Sequence, residues 1–576
     1  MSSNLRSVIL NQITKSAENL DHEYLRNIAS SLVLKFKGDK YSFELPLQTQ
    51  SYDIQNHVDS IKSNAINDIF HSVRVDDNVL CYEISKPTYA KTILVSNISG
   101  VSPPAFSGNL KNVIVEFSSP NIAKPFHLGH FRSTMLGNHI ANMNSFLCHN
   151  VRKINYLGDW GKQFGFIQIG TQIQKTTDED MKNYPIQSLY KAYVAAHKQL
   201  EVDPTIDIQA QEVFRQLEQG DSDVFQNWEL FKTHTVNELS SIYKRLGIKF
   251  DEYHWESMYR SSKIKNVMQT MSEMDLLLLD EHNRTVVHLD NNNAVPLKRS
   301  DDTTLYITRD IAAAIDRYEK YKFDAMYYIV DGAQSAHFNN VIEILRKMQM
   351  PWADRLKHIS FGRILGMSTR KGTSIFIEDI LNELRAIMKE GQIKSETTKV
   401  SSEEMDETAD ILAVTGLIMY DLKQRRERNY EFRLEDTNMF LKIANTGVGR
   451  RLQYTHCRLS SLEEKNEAAT SNECDPSYLQ EPEIHKLLFL IGKFDEIIME
   501  SYVNYQPSIL TGYILKLNVT RISVCNSSTL GSLCAKFPVK GQPPDVASNR
   551  LLMFHVGRLL LAQCMKLLGI RPLNKM

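Results

Sequence analysis

The chain has 576 residues, 42% hydrophobic and 23% charged, with a formal net charge of −1. This composition excludes a disordered chain, and a charge so near zero excludes an overall field for polyanions, so any nucleic-acid contact must use local basic patches. The length exceeds one core and implies roughly three to four units of about 150 residues.

Seven cysteines (81, 148, 457, 474, 525, 534 and 564) are odd in number and form no CxxC pair. Neither a disulfide framework nor a zinc site is expected, and a reducing compartment fits. In chain order, the first sixteen residues carry Arg6 and Lys15, with no acidic residue before Glu18 and with Leu5, Val8, Ile9 and Ile13 on one helical face. A mitochondrial targeting segment and the first helix of an N-terminal domain both satisfy that pattern. Residues 1–105 then alternate helical patterns with β-like runs such as 79–82 and 93–95, which predicts a small α+β domain, and the breaker-rich stretch 101–108 predicts its boundary.

The densest segment is 113–161. Val113-Ile114-Val115 reads as a short buried parallel strand. Ser118, Ser119, Pro120, Asn121 and Pro125 predict an irregular loop as far as His127. From Gly129 to about Cys148 apolar residues recur at helical spacing, and 151–157 reads as a second strand. Strand, loop, helix, strand is a βαβ unit, which places its ligand beyond the carboxyl ends of the strands, where His127 and His130 lie. A helix N-terminus there can hold phosphate, and two imidazoles can donate to a phosphate gaining charge. An HxGH match alone is weak, and histidines that merely cap a helix also satisfy it.

The longer run SSPNIAKPFHLGHFRST, continued by NYLGDWGKQFG, resembles the class I arginyl-tRNA synthetases, with His127-Leu128-Gly129-His130 standing as that class's HIGH signature. The resemblance implies a multidomain α/β plus all-α protein. Its expected parts are an N-terminal α+β domain that helps bind the tRNA elbow (1–105), a Rossmann-like catalytic domain with a parallel sheet (106–390) and a helical insertion at about 176–298, a connection or stem-contact region (391–435), and a helical anticodon-binding bundle of the DALR type (436–576). The implied reaction is activation of L-arginine by ATP, with Mg²⁺, followed by transfer to tRNA(Arg).

The same resemblance places Glu116, Ser119, Pro120, Asn121, His130, Tyr306, Asp310 and Gln334 around the amino acid, and His127, Gly129, His130, Met367 and Ser368 around ATP. Chemistry agrees: a guanidinium is a permanently charged planar fork, which carboxylates and amide oxygens can read. Glu116 and Asp310 are expected to supply charge, Asn121 and Gln334 to bind polar ends, and Tyr306 to wall the stem. By local pattern alone, Asp310 would be the N-cap of the helix-favouring run Ile311–Ile315.

Residues 323–331 predict a further buried strand, 335–348 a helix, and 358–365 another strand. That strand runs into Gly366-Met367-Ser368-Thr369-Arg370-Lys371-Gly372, a basic loop suited to closing on a leaving pyrophosphate. MSTRK resembles the class's second signature, KMSKS, but Gly366 stands where the first lysine would be. In this family a lysine just before the first signature compensates, and Lys124 occupies that place, so Lys124, Arg370 and Lys371 join His127 and His130 as catalytic candidates.

Residues 392–410 read as a solvated connection and 411–420 as an apolar helix. In the basic run that follows, Tyr430 and Phe432 could stack on RNA, although interleaved acids favour a solvated face. NTGVGRRLQYTHCRL resembles the entry to the anticodon-binding domain, and the ending VASNRLLMFHVGRLLLAQCMKLLGI resembles its terminal helix, with Ala547 and Arg550 retained but the DALR letters absent. His555, Arg558, Gln563 and Lys566 make 551–568 a packed amphipathic helix rather than a membrane span. No membrane partner and no protein-held metal are expected, the chain is expected to be a monomer, and its ending and length resemble the animal mitochondrial form more than a cytosolic one. Two alternatives stand beside this reading: a catalytically silent tRNA-binding relative, and another HxGH nucleotidylyltransferase.

Overall fold

The computed structural model describes residues 1–16, 22–38, 40–47, 52–65, 68–104, 109–219, 221–259, 262–290, 293–300, 303–365, 376–396, 398–432, 437–445, 448–466, 473–518 and 529–576. The second-signature loop, with Met367, Ser368, Arg370 and Lys371, lies outside the described residues, as does Cys525.

At the centre is a five-stranded parallel sheet in the order Leu356–His358, Ala325–Tyr328, Asn112–Glu116, Asn150–Leu157, Glu252–Trp255. The chain enters at Asn112–Glu116, winds outward through two strands on one side, then returns to build the other side. The switch point of the topology therefore falls between Asn112–Glu116 and Ala325–Tyr328, where open α/β sheets bind their ligands. Alternation along the strand divides its side chains. Val113 and Val115 enter a core shared with the helical bundle, while Ile114 enters a second core with the helices Ser262–Glu273, Tyr306–Tyr321 and Ser335–Lys347.

The N-terminal domain is a four-stranded antiparallel sheet with helices. Ser72–Asp76 turns into Val79–Ile84 through Asp77 and Asn78, both at positive φ (46° and 62°), as a two-residue hairpin whose twist matches its strands requires. The run 93–95, read as β-like, is helical instead. Ser85 caps the helix Lys86–Val95 by accepting from the Thr88 N–H, and Pro87 suits its first turn. Residues 3–16 form a helix whose Leu5, Ile9 and Ile13 are buried and whose Arg6 pairs with Glu496 at 2.6 Å. The domain docks on the bundle, with the Tyr41 hydroxyl donating to the His485 carbonyl (2.7 Å).

Three other expectations need correction. Residues 176–298 are not helical throughout: helices run to Leu246 and again over Ser262–Glu273, but between them Glu252–Trp255 is an edge strand of the central sheet, and beyond them Thr285–His288 pairs with Ala294–Lys298. The strand expected over 358–365 is two short ones. Gly362 interrupts it by donating to the Arg426 carbonyl, and Ile364–Leu365 pairs with Tyr430–Glu431 instead. Finally, the C-terminal helix Pro544–Leu567 is buried nearly all round rather than amphipathic, and among the described residues no helix is long and apolar enough to cross a membrane.

Candidate active site

The strand Asn112–Glu116 ends in a loop under strain. Ser118 and Ser119 are consecutive non-glycine residues at positive φ (76° and 47°), and Ala123 is a third (56°). Such conformations persist only where the surroundings over-determine them, and they gather at binding sites. Here the fixing contacts are specific. The Ser119 N–H donates to Asn155 Oδ1 (3.0 Å), the Ser118 N–H to Ser133 Oγ (3.0 Å), and the Ala123 N–H to Thr235 Oγ1 (3.0 Å). Asn121 bridges to Gly158, where a Cβ would fall 2.2 Å from Asn121 Oδ1, so a side chain at 158 would displace the Asn121 amide.

His127 is the N-cap of the helix Leu128–Phe146, its Nδ1 accepting from the Gly129 N–H (3.1 Å), while His130 Nδ1 accepts from the His127 N–H (3.5 Å). Both histidines therefore cap the helix, and the capping does chemical work. An Nδ1 that accepts carries no proton, so each neutral ring keeps its hydrogen on Nε2 as a donor. The rings stack at 3.8 Å. Burial and the nearby Lys124 push the His127 imidazolium down to about 4, and burial, His127 and Lys124 push His130 well below the ordinary histidine value. At neutral pH the site thus presents two uncharged Nε2–H donors above a helix N-terminus. Gly129 fits under them because a Cβ there would lie 3.0 Å from His127 Cε1.

Across the switch point stand the carboxylates. Asp310 is not an N-cap: Leu305 caps the helix Tyr306–Tyr321, and Asp310 lies inside it, bonded to His337 Nε2 (2.6 Å). Tyr306 is 53% exposed at the start of this helix, its ring 4.6 Å from that of His337. Gln334 is exposed at the start of the helix Ser335–Lys347. Glu116 is buried and already has a cation, with Arg317 Nη1 at 2.5 Å. Its carboxyl is raised by burial against the opposing pull of Arg317.

Sequence reasoning missed Arg317, His337 and Glu256. Glu256 follows the strand Glu252–Trp255, and burial pushes its carboxyl up to about 8 against Arg309, with Asp310 and Asp159 adding to the rise. The rule that ligands sit at carboxyl ends of strands would have found it, had that four-residue strand been recognised. Nearby, Ser119 Oγ, Tyr156 Oη and Arg309 Nε are buried without a hydrogen-bond partner. Orphaned groups of this kind are costly, and a polar ligand would satisfy them.

The sequence matches the family of class I tRNA synthetases (R), catalytic domain, over residues 92–434, and the DALR anticodon binding domain over 452–576. The chain belongs to the class I arginyl-tRNA synthetases. A human protein named as a mitochondrial arginine–tRNA ligase is 39% identical over 505 residues, covering 86% of this chain and 85% of its own. A Dictyostelium discoideum protein named as a cytoplasmic arginine–tRNA ligase is 33% identical, covering 90% of each. The arginyl-tRNA synthetase structure from Thermus thermophilus shares the fold, with a TM-score of 0.76 at 18% identity and full coverage of both chains.

In this synthetase the lysine just before the first signature, Lys124, lies with its ammonium 4.7 Å from the centroid of the Tyr193 ring. Arg132, two residues after the HxGH run, is a structural clamp. It pairs with buried Asp421 (3.0 Å) and donates to the carbonyls of Arg425, Arg426 and Arg428. The two aromatic residues considered for RNA stacking, Tyr430 and Phe432, pack around that clamp. The Tyr430 hydroxyl donates to Asp421 (2.7 Å), and Phe432 is 2% exposed in the core. Arg550, in the terminal helix, donates to the Pro538 carbonyl and to Glu481.

Proposed function

We propose that this enzyme condenses L-arginine with ATP to arginyl-adenylate and pyrophosphate, then transfers the arginyl group to tRNA(Arg) for mitochondrial translation. What carries the reading is a convergence at the topological switch point: strained loop, helix N-terminus, two neutral imidazoles and a cluster of carboxylates, all within one neighbourhood of orphaned polar groups.

The arginine carboxylate attacks the α-phosphate of ATP and pyrophosphate leaves. His127 and His130 contribute through Nε2–H donors aimed where phosphate charge grows, not by taking up a proton, because burial keeps both rings neutral. Lys124 supplies positive charge in the role left open by Gly366, together with Arg370 and Lys371 of the second-signature loop, whose Met367 and Ser368 contact ATP. Mg²⁺ accompanying ATP would offset phosphate charge. A hydroxyl of the terminal ribose of tRNA then attacks the acyl carbon and AMP departs, so no enzyme nucleophile is needed.

Asp310 and Glu256 read the substrate guanidinium. Asp310 is aimed by His337, Tyr306 walls the stem, and Ser119, Pro120, Asn121, His130 and Gln334 hold the amino-acid end. Glu116, neutralised by Arg317, shapes the pocket wall. Residues 1–105 serve the tRNA elbow and 436–576 the anticodon. The names of the more similar relatives favour a mitochondrial address.

Replacing Asp310 with Asn tests the reading in the aminoacylation assay. Loss of a desolvated charge partner costs about 2 kcal/mol or more, so the KM for arginine rises at least about thirtyfold while the KM for ATP stays within about twofold. Equal rises in both would contradict the assignment.

A further inference from the structure

We propose that Tyr193, on the insertion helix Pro185–Val202, is a positioning residue for Lys124, so that the helical insertion takes part in activation. The inference rests on the catalytic role of Lys124 proposed above. The Lys124 ammonium lies 4.7 Å from the ring centroid of Tyr193, which is 4% exposed. From this place its charge reaches both His127 and His130.

A lysine stem is flexible, and holding its ammonium in one place costs entropy. A buried aromatic face selects the rotamers that keep the charge beside the two imidazoles, where the phosphates of ATP arrive. The ring attracts the cation through its quadrupole.

The shelf is rigid. Tyr193 meets His197 edge-on at 4.5 Å, and His197 stacks on Phe166 at 4.6 Å. Phe166 belongs to the helix Lys162–Gln174, whose Gly170 approaches so closely that a Cβ would fall 1.9 Å from the Ala192 carbonyl oxygen. One turn before Tyr193, Tyr190 packs edge-on against Phe376 at 5.5 Å. Phe376 bridges to His127 and immediately precedes the helix Ile377–Ile393. A single turn of the insertion helix thus touches both the lysine before the first signature and the segment that follows the second.

The test is arginine-dependent exchange of pyrophosphate into ATP by the full chain with tRNA present, comparing Tyr193→Phe, Tyr193→Leu, Lys124→Ala and the Lys124→Ala/Tyr193→Leu double variant. Tyr193→Phe keeps the ring and stays within about twofold of the unaltered enzyme, while Tyr193→Leu lowers kcat about threefold to tenfold, the range of a cation–π contact, with the KM for arginine unchanged. In the Lys124→Ala background Tyr193→Leu lowers kcat no further. If Lys124→Ala is silent, the catalytic role of Lys124 falls. If Lys124→Ala is impaired but Tyr193→Leu is normal, or costs the same factor in both backgrounds, the positioning role of Tyr193 falls while that of Lys124 stands. Replacing Tyr193 by phenylalanines of increasing fluorine content drains the ring's negative face at nearly constant shape, so the question is decided even if the leucine variant does not fold. A stepwise fall in kcat supports the proposal, and no trend overturns it.

Discussion

Removing the cation from the buried pair Glu116–Arg317 should unfold the catalytic domain far more easily than removing both charges. The side chains are 4% and 1% exposed, and their charged atoms are 2.5 Å apart. In Arg317→Met the apolar stem is kept while Glu116 stays buried without its partner, a loss of about 3–5 kcal/mol. The Glu116→Gln change alone leaves Arg317 in the same position. Combining them leaves two neutral groups of nearly native volume, so the double variant should recover most of the loss. All four tryptophans of the chain (160, 228, 255 and 352) lie in the catalytic region, so thermal unfolding followed by intrinsic fluorescence reports on it. For a unit of about 250 residues, each kcal/mol moves the midpoint by about 2–4 °C, and the single variants should melt about 6–20 °C lower. If Arg317→Met melts within about 2 °C of the unaltered enzyme, or if the two losses simply add, the pair does not hold the site as described.

Other consequences follow from the same geometry. Gly129→Ala should displace the His127 ring by a few tenths of an ångström, weakening its cap, and lower the rate of adenylate formation by up to about tenfold, while tRNA affinity is unchanged in a filter-binding assay. Because burial raises the Glu256 carboxyl to about 8, it is protonated at neutral pH and must lose its proton when a guanidinium arrives. Arginine affinity should therefore rise with pH below about 8, by up to about tenfold per pH unit and with proton release on binding, and level off above that value; calorimetry in buffers of different ionisation enthalpy should lose this signature in Glu256→Gln. Deleting residues 1–16 should remove about 5–9 kcal/mol of packing by Leu5, Ile9 and Ile13, together with the Arg6–Glu496 pair. Its readout is loss of soluble chain on expression.

How far the sequence could be read depended on the range over which each feature is determined. The strand at Asn112–Glu116, the loop to His127 and the helix Leu128–Phe146 were legible because a β-branched run, two prolines and apolar spacing act locally. Asp310 was misplaced because Ile311 and the alanines after it favour helix so strongly that they hid the actual start at Tyr306. The strand Glu252–Trp255 has four residues, too few for a period to show, and with it Glu256 escaped notice. Glu116 looked like a guanidinium reader because its own partner, Arg317, lies on another element and meets it only across the sheet. For the N-terminal helix, a targeting segment and a core helix ask for the same apolar face, so only the packing of Leu5, Ile9 and Ile13 shows the structural role.

The central claim is that this site activates arginine. Its most direct test is the exchange of labelled pyrophosphate into ATP by the intact chain, with arginine or lysine as the amino acid and with or without tRNA(Arg). The account predicts exchange with arginine and tRNA and none with lysine. A chain that binds tRNA(Arg) but supports no exchange under any condition would contradict it, and would leave the site a relic in an RNA-binding protein.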